Sequence, residues 1–202
     1  MKIICVGRNY LAHAKELNNE APAEPVLFLK PETAIPPKKL PFFYPDFSNN
    51  VHFEVELVVK INKIGKHIDA AFAHKYYSEI GLGIDFTARD VQEECKKKGL
   101  PWEKAKAFDG SAALGQFIPK EELDLEKIEF ELKQNGEQVQ IGNSSDMIFS
   151  INELISYISR FFTLKIGDLI YTGTPKGVGP VQKGDLLEGY LAGKKVLETK
   201  VR

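Results

Sequence analysis

Residues 51–61 constrain this chain more than any other stretch. Val51, Phe53, Val55, Leu57, Val59 and Ile61 alternate with His52, Glu54, Glu56, Val58 and Lys60. A period of two puts the first set on one face of a β-strand and the second on the other. One face is wholly apolar and the other largely polar, so the strand reads as one side of a sheet packed on a core. Glu54 and Glu56 then share the polar face, about 6.5–7 Å apart at Cα. Like charges at that spacing repel unless water or a cation separates them. By itself the pattern describes a solvated strand face, and a metal site needs a third carboxylate from elsewhere.

The rest of the chain reads as short strands with a few well-marked helices. Lys2 to Val6 forms a strand, Tyr10 to Leu17 a helix, and Asn18 to Pro25 a loop rich in Pro and Glu. Val26 to Leu29 is a short apolar run, followed by dense prolines between Pro31 and Pro45. A second strand, Ile80 to Asp85, leads to Thr87 as a helix N-cap, with the helix running to about Lys98, Gly99 at C′ and Pro101 beyond. Ile128 to Lys133 and Glu137 to Ile141 flank Asn135-Gly136, a hairpin signal. Ser150 and Glu153 make a capping box, and Ile151, Leu154, Ile155, Ile158 and Phe162 follow helical spacing. Gly167-Asp168, Gly184-Asp185 and Ala192-Gly193 punctuate the C-terminal strands. With no internal repeat or linker, the expectation is one α+β domain over residues 1–202, its strands mostly antiparallel.

A net charge of −1 supplies no general field for nucleic acid or anionic lipid. No stretch approaches the roughly 20 apolar residues of a membrane span. Met1 to Gly7 is a short apolar run ended by Arg8, unlike a signal peptide, and the only cysteines are Cys5 and Cys95. These features give a cytoplasmic protein with free thiols as the expectation.

Asp85 is the natural third carboxylate, because it closes the Gly-rich strand Gly81-Leu82-Gly83-Ile84 where its charge emerges. An ordinary turn aspartate fits the same position. Three carboxylates without cysteine or close-spaced histidine select a hard cation, Mg²⁺ or Mn²⁺, and leave coordination positions for a chelating ligand. The Gly173 to Gly179 loop lacks Walker A spacing and the third glycine of a dinucleotide fingerprint. It reads either as backbone N–H groups offered to a substrate carboxylate or as a plain turn between strands. No Gly-x-Ser-x-Gly elbow is present.

The motifs in order carry a resemblance. Gly7-Arg8-Asn9-Tyr10 with His13, Phe28-Leu29-Lys30-Pro31, His52-Phe53-Glu54-Val55-Glu56 and Asp85-Phe86-Thr87-Ala88-Arg89-Asp90-Val91-Gln92 come first. Lys98-Gly99-Leu100-Pro101-Trp102, Lys106-Ala107-Phe108-Asp109 and Thr172-Gly173-Thr174-Pro175-Lys176-Gly177-Val178-Gly179 follow. Together they resemble the fumarylacetoacetate hydrolase family, most closely its short members that hydrolyse acylpyruvates or decarboxylate oxaloacetate. The resemblance implies a mixed β-roll with a few peripheral helices, usually a homodimer, acting on a small 2-oxo acid. It implies Glu54, Glu56 and Asp85 as ligands of Mg²⁺ or Mn²⁺. Arg89, Gln92, Lys106 and Thr174 would hold the substrate, and His13 with Glu16 would form a catalytic dyad.

Those residue types suit the chemistry. Breaking a C3–C4 bond next to a 2-oxo acid sends electrons into an enolate, which a divalent cation and the Lys106 ammonium would stabilise. Hydrolysis also needs an activated water, which His13 oriented by Glu16 at i+3 could supply. Decarboxylation needs only the enolate. Isomerisation or tautomerisation of unsaturated 2-hydroxy or 2-oxo dioates uses the same enolate with different proton traffic. A Schiff-base aldolase using Lys30 or Lys106 and a noncatalytic metabolite-binding protein are the readings from other classes. Taken singly, His13, Glu16 and Lys106 also read as surface residues, Arg89 and Gln92 as the start of a solvated helix, and Trp102 as packing.

Overall fold

The computed structural model describes residues 1–16, 20–37 and 40–202. It begins with β1 (Ile3–Gly7), α1 (Leu11–Glu16), β2 (Val26–Lys30), β3 (Val51–Phe53) and β4 (Val55–Ile61). Next come β5 (Tyr77–Asp85), β6 (Thr87–Ala88), α2 (Arg89–Lys98), α3 (Glu103–Lys106) and β7 (Ala112–Pro119). The remainder is β8 (Glu129–Gln134), β9 (Glu137–Asn143), α4 (Ile151–Phe161), β10 (Leu169–Tyr171), β11 (Gly179–Pro180), β12 (Leu186–Leu191) and β13 (Lys194–Lys200). Strands dominate, so the α+β expectation holds.

A six-stranded sheet has the order β2-β1-β10-β4-β5-β7 and is antiparallel except where β1 runs parallel to β10. A four-stranded sheet, β13-β12-β8-β9, is wholly antiparallel, and β11-β3-β6 form a small third sheet. The main core joins Leu57, Val59, Ile80 and Leu82 of the large sheet to Phe130, Leu132, Leu187 and Leu197 of the four-stranded one. Each such side chain, fully buried, stabilises the fold by about 1.5–3 kcal/mol. No helix among the described residues is long and apolar enough to cross a membrane.

Local signals were legible. Asn135 and Gly136 both take positive φ, 55° and 87°, as a tight hairpin turn requires. Gly99 caps α2 in the left-handed region at φ 63°, and Ser150 with Glu153 forms the capping box of α4. Ile151, Leu154, Ile155 and Ile158 are buried, while Phe162 at the C-cap is half-buried. Residue Leu17, the expected end of the first helix, and the start of the Asn18–Pro25 loop lie outside the described residues.

Two expectations are corrected. The 51–61 strand breaks at Glu54: β3 belongs to the small sheet and β4 to the large one. From Glu54 to Val58 its second face is not solvated. Val58 packs with Ile3, Cys5, Ala34, Ala112, Leu169 and Tyr171 in a second core on the far side of the sheet, and Glu54 and Glu56 are buried with it. Gly83 makes room for that layer, since a Cβ there would stand 2.4 Å from the Tyr171 ring. Thr87 is not a cap either. It lies in β6, and Ala88 precedes α2 without a side-chain cap. The Arg89 N–H, which a cap would relieve, already donates to the Asn50 carbonyl at 2.7 Å.

Candidate active site

The β4–β5 ladder assembles the carboxylates. Val55 pairs with Ile84 and Glu56 with Gly83, and the Asp85 N–H donates to the Glu54 carbonyl at 2.8 Å. Residues from two strands thereby converge where β4 begins and β5 ends. Glu54, Glu56 and Asp85 are at most 5% exposed, and each offers an oxygen within 4.8 Å of the others.

Three cations surround the cluster unevenly. Lys106 Nζ donates to Glu54 Oε2 and Asp85 Oδ2, both at 2.8 Å, and to Thr87 Oγ1 at 2.6 Å. Arg89 donates to Glu54 Oε1 at 2.5 Å and to Gln92 Oε1 at 2.8 Å. Lys30 Nζ lies 2.8 Å from Asp85 Oδ1 and donates to the Lys106 carbonyl and to Ser111. Burial opposes charge on Glu54, but Lys106 and Arg89 outweigh it and hold that carboxyl below the usual carboxylate range. Burial likewise opposes charge on Lys106, and Asp85 with Glu54 outweigh it, so its pKa stands above the ordinary value.

Glu56 has no such relief. Its only hydrogen-bond partner among the described residues is the Gly173 N–H, at 2.8 Å, and no cation pairs with it. Burial, then the charges of Asp85 and Glu54, push its carboxyl well above the usual range. An all-oxygen cluster with one unpaired member fits a hard divalent cation, which would supply the missing positive charge.

The cavity over the cluster is lined by His13, Glu54, Glu56, Asp85, Arg89, Gln92, Lys106 and Thr174, so every expected site residue but Glu16 reaches it. Glu16 stands behind His13: its Oε2 is 3.1 Å from His13 Nδ1, and it accepts the Gly177 N–H at 3.0 Å. Gly173 and Gly177 therefore spend their N–H groups on Glu56 and Glu16, not on a substrate carboxylate as one reading of the loop expected. Glu56 is buried and Glu16 exposed, and each carboxyl accepts one of these N–H groups. Phe28 and Trp102 line one side, with Lys106 Nζ 5.2 Å from the Phe28 ring centre.

Sequence reasoning overlooked three contributors. Lys30 enters the sequence reading only as a nucleophile; here its ammonium is fully buried and committed to Asp85, which argues against Lys30 as the lysine of a Schiff-base aldolase. Its signal is a lysine ending an otherwise apolar strand. Arg8 lines the cavity in the left-handed region at φ 61°, directly after Gly7 ends β1. Asn9, fully buried, donates to the carbonyls of Phe149 and Thr172 at 3.0 and 2.8 Å and so ties β1 to the 172–177 loop.

Comparison with known proteins agrees with this architecture. The sequence profile described as fumarylacetoacetate (FAA) hydrolase C-terminal matches residues 2–202. Over 201 residues the chain is 50% identical to the mitochondrial oxaloacetate tautomerase FAHD1 of Mus musculus, covering 99% of this chain and 91% of that one. It is 48% identical over 188 residues to the oxaloacetate tautomerase YcgM of Escherichia coli, covering 92% and 86%. The crystal structure of fumarylpyruvate hydrolase from Pseudomonas aeruginosa in complex with Mn²⁺ and pyruvate superposes with a TM-score of 0.93 at 38% identity, covering 100% of this chain and 89% of that one. On sequence and fold alike, the chain belongs to the fumarylacetoacetate hydrolase family.

Proposed function

We propose that this chain is a divalent-metal-dependent enzyme acting on short 2-oxo acids, and that it interconverts the enol and keto forms of oxaloacetate. The observation that carries this reading is the buried Glu54–Glu56–Asp85 cluster with one unpaired carboxylate beneath a cavity that His13, Arg89 and Lys106 line. Glu54, Glu56 and Asp85 are the residues that would hold Mg²⁺ or Mn²⁺, which when bound supplies Lewis acidity toward the oxygen that gains enolate charge. Arg89, positioned by Gln92, offers its guanidinium to the substrate carboxylate. Thr174, which also lines the cavity, offers its hydroxyl to the same carboxylate. Lys106 keeps a buried positive charge beside the C2 oxygen. With Nδ1 engaged by Glu16, His13 has Nε2 left to take the C3 proton as the C2 oxygen gains one from solvent, and to give a proton back to C3 as the enol oxygen loses its own.

A second reading, acylpyruvate hydrolysis, is favoured by the same His13–Glu16 pair, because a base beside the enolate site can equally deprotonate water. Oxaloacetate decarboxylation and dioate isomerisation need the same enolate stabilisation. The test is to follow enol-oxaloacetate decay, acetylpyruvate cleavage and oxaloacetate decarboxylation with Mg²⁺, with Mn²⁺ and after chelation. Metal-dependent acceleration of enol decay is expected, lost on chelation. Decay no faster than in buffer with metal present refutes the tautomerase reading, and cleavage of acetylpyruvate in the same preparation would install the hydrolase in its place.

The reading takes residues 1–202 as one catalytic domain, supported by a core that draws on residues from Ile4 to Val201. It takes the enzyme as a homodimer, supported by exposed Phe43, Ile64, Phe72 and Ile166, which offer apolar surface to a second copy. A cytoplasmic location suits Cys5 and Cys95, both free and buried.

A further inference from the structure

Gln140 lies in β9, at the edge of the four-stranded sheet, and does not line the cavity. It is nevertheless only 1% exposed, and both ends of its amide are used. Its Oε1 accepts the Val55 N–H at 2.9 Å, while its Nε2 donates to Thr174 Oγ1 and to the Pro175 carbonyl, each at 2.9 Å. The Val55 N–H can only donate and the Pro175 carbonyl can only accept, so the partners fix which way the amide points.

Topology explains why a side chain is needed here. Val55, between Glu54 and Glu56, turns its N–H toward the β10 side of β4. There β10 ends at Tyr171, opposite Val58, and the Thr172 N–H makes a last contact with the Leu57 carbonyl. Past that point no strand among the described residues stands beside Val55 on that side, and its N–H is buried. A buried N–H requires a partner, and Gln140 supplies it. The neighbouring residue Val139 shapes the same loop, since a Cβ on Gly177 would stand 2.5 Å from its carbonyl oxygen.

The hydrogen bond to Thr174 has a direction with consequences. Because Thr174 Oγ1 accepts from Gln140, its own proton is left for an acceptor elsewhere, and Thr174 faces the cavity. We infer that Gln140 is a positioning residue that sets the polarity of the Thr174 hydroxyl, so that this hydroxyl donates to the substrate carboxylate. The inference rests on the proposed reading, in which Thr174 holds that carboxylate.

Two variants test it, with oxalate as the probe. Gln140→Glu keeps an oxygen for Val55 but faces Thr174 with an acceptor, turning the hydroxyl proton away from the cavity. Gln140→Met removes the donor without adding charge. Calorimetric titration of oxalate into the Mn²⁺-loaded protein should show each variant about 10-fold weaker than wild type, the scale of one lost hydrogen bond. Thr174→Val alone should lose as much, and combining it with either Gln140 variant should add less than about twofold if Gln140 acts through Thr174. A merely structural role would lower thermal stability and leave the losses additive. Whichever Gln140 variant folds decides the question: oxalate affinity within about twofold of wild type, or additive losses, overturns the inference. Absence of Mn²⁺-dependent oxalate binding in the wild type would instead overturn the functional reading, and this inference with it.

Discussion

Replacing Lys30 with Met removes the ammonium while keeping most of the side-chain volume, and the structure allows the cost to be worked out. Lys30 and Asp85 are both almost completely buried and stand 2.8 Å apart. Breaking a buried ion pair by deleting one partner typically costs about 3–5 kcal/mol, because the survivor is left charged in a poor solvent. Three features pull the value to the lower end. Asp85 keeps Lys106 at 2.8 Å on its other oxygen. The Lys106 carbonyl keeps the Ser111 hydroxyl at 3.0 Å, and the Ser111 carbonyl keeps the Phe86 N–H at 2.9 Å. The expected loss is therefore about 3 kcal/mol, or a fall in Tm of roughly 6–12 °C for a chain of this length. Urea denaturation and thermal melts of the two proteins after chelation measure it. Repeating the melts with saturating Mn²⁺ should narrow the gap, since cation binding to the native state would relieve the charge left on Asp85. A Lys30→Met protein within about 1 kcal/mol of wild type after chelation would refute the reasoning, as surface pairs cost no more than that.

Two further outcomes follow from other contacts. His13→Ala should slow metal-dependent enol-oxaloacetate conversion by about 10²–10⁴-fold, the usual scale of general-base loss, and spare oxaloacetate decarboxylation, whereas Glu54→Ala should damage both; steady-state rates of the two reactions decide it. Asp168 is opposed by burial, but hydrogen bonds from the Lys2 side chain, the Lys2 N–H and the Lys165 N–H prevail and hold its carboxyl below the usual range. A depressed folded-state pKa contributes stability that is present above the unfolded value, about 3.9, and is lost as pH falls through the folded value. The stability gap between wild type and Asp168→Asn should thus be full near neutral pH and shrink as the pH falls below the unfolded value, as urea titrations across pH will show.

What could be read from the sequence was local. The hairpin at Asn135-Gly136, the capping box at Ser150 and the end of α2 at Gly99 depend on residues within a few positions of each other. The alternation at 51–61 likewise announced a strand, but the fate of its polar face depended on Ile3, Leu169 and Tyr171, more than 45 residues away in either direction along the chain. Thr87 was misread for the same reason, since Asn50 and Lys106 had already claimed the groups that a cap would use. Gln140 is the same residue type as Gln138, two residues before it on the same strand, yet one is buried and the other exposed. The carboxylates, Arg89, Lys106 and His13 were found through ordered motifs; their supporting residues carry signals only in three dimensions.

The parallel pairing of β1 with β10 has a consequence for how the molecule is made. On one edge Ile3, Ile4 and Cys5 pair with nearby β2, but on the other edge their partners are Leu169, Ile170 and Tyr171, and among the described residues β2 joins the sheet through β1. During synthesis the apolar β1–β2 pair must therefore wait with one edge open until most of the chain has left the ribosome. Such long-range closure is slow and leaves an adhesive edge exposed in the interval. Because Asn9, just beyond β1, fastens Thr172, the candidate active site forms at that same late step. Catalytic competence and completion of the sheet should thus arrive together in a refolding experiment, with no partly assembled species able to turn over substrate.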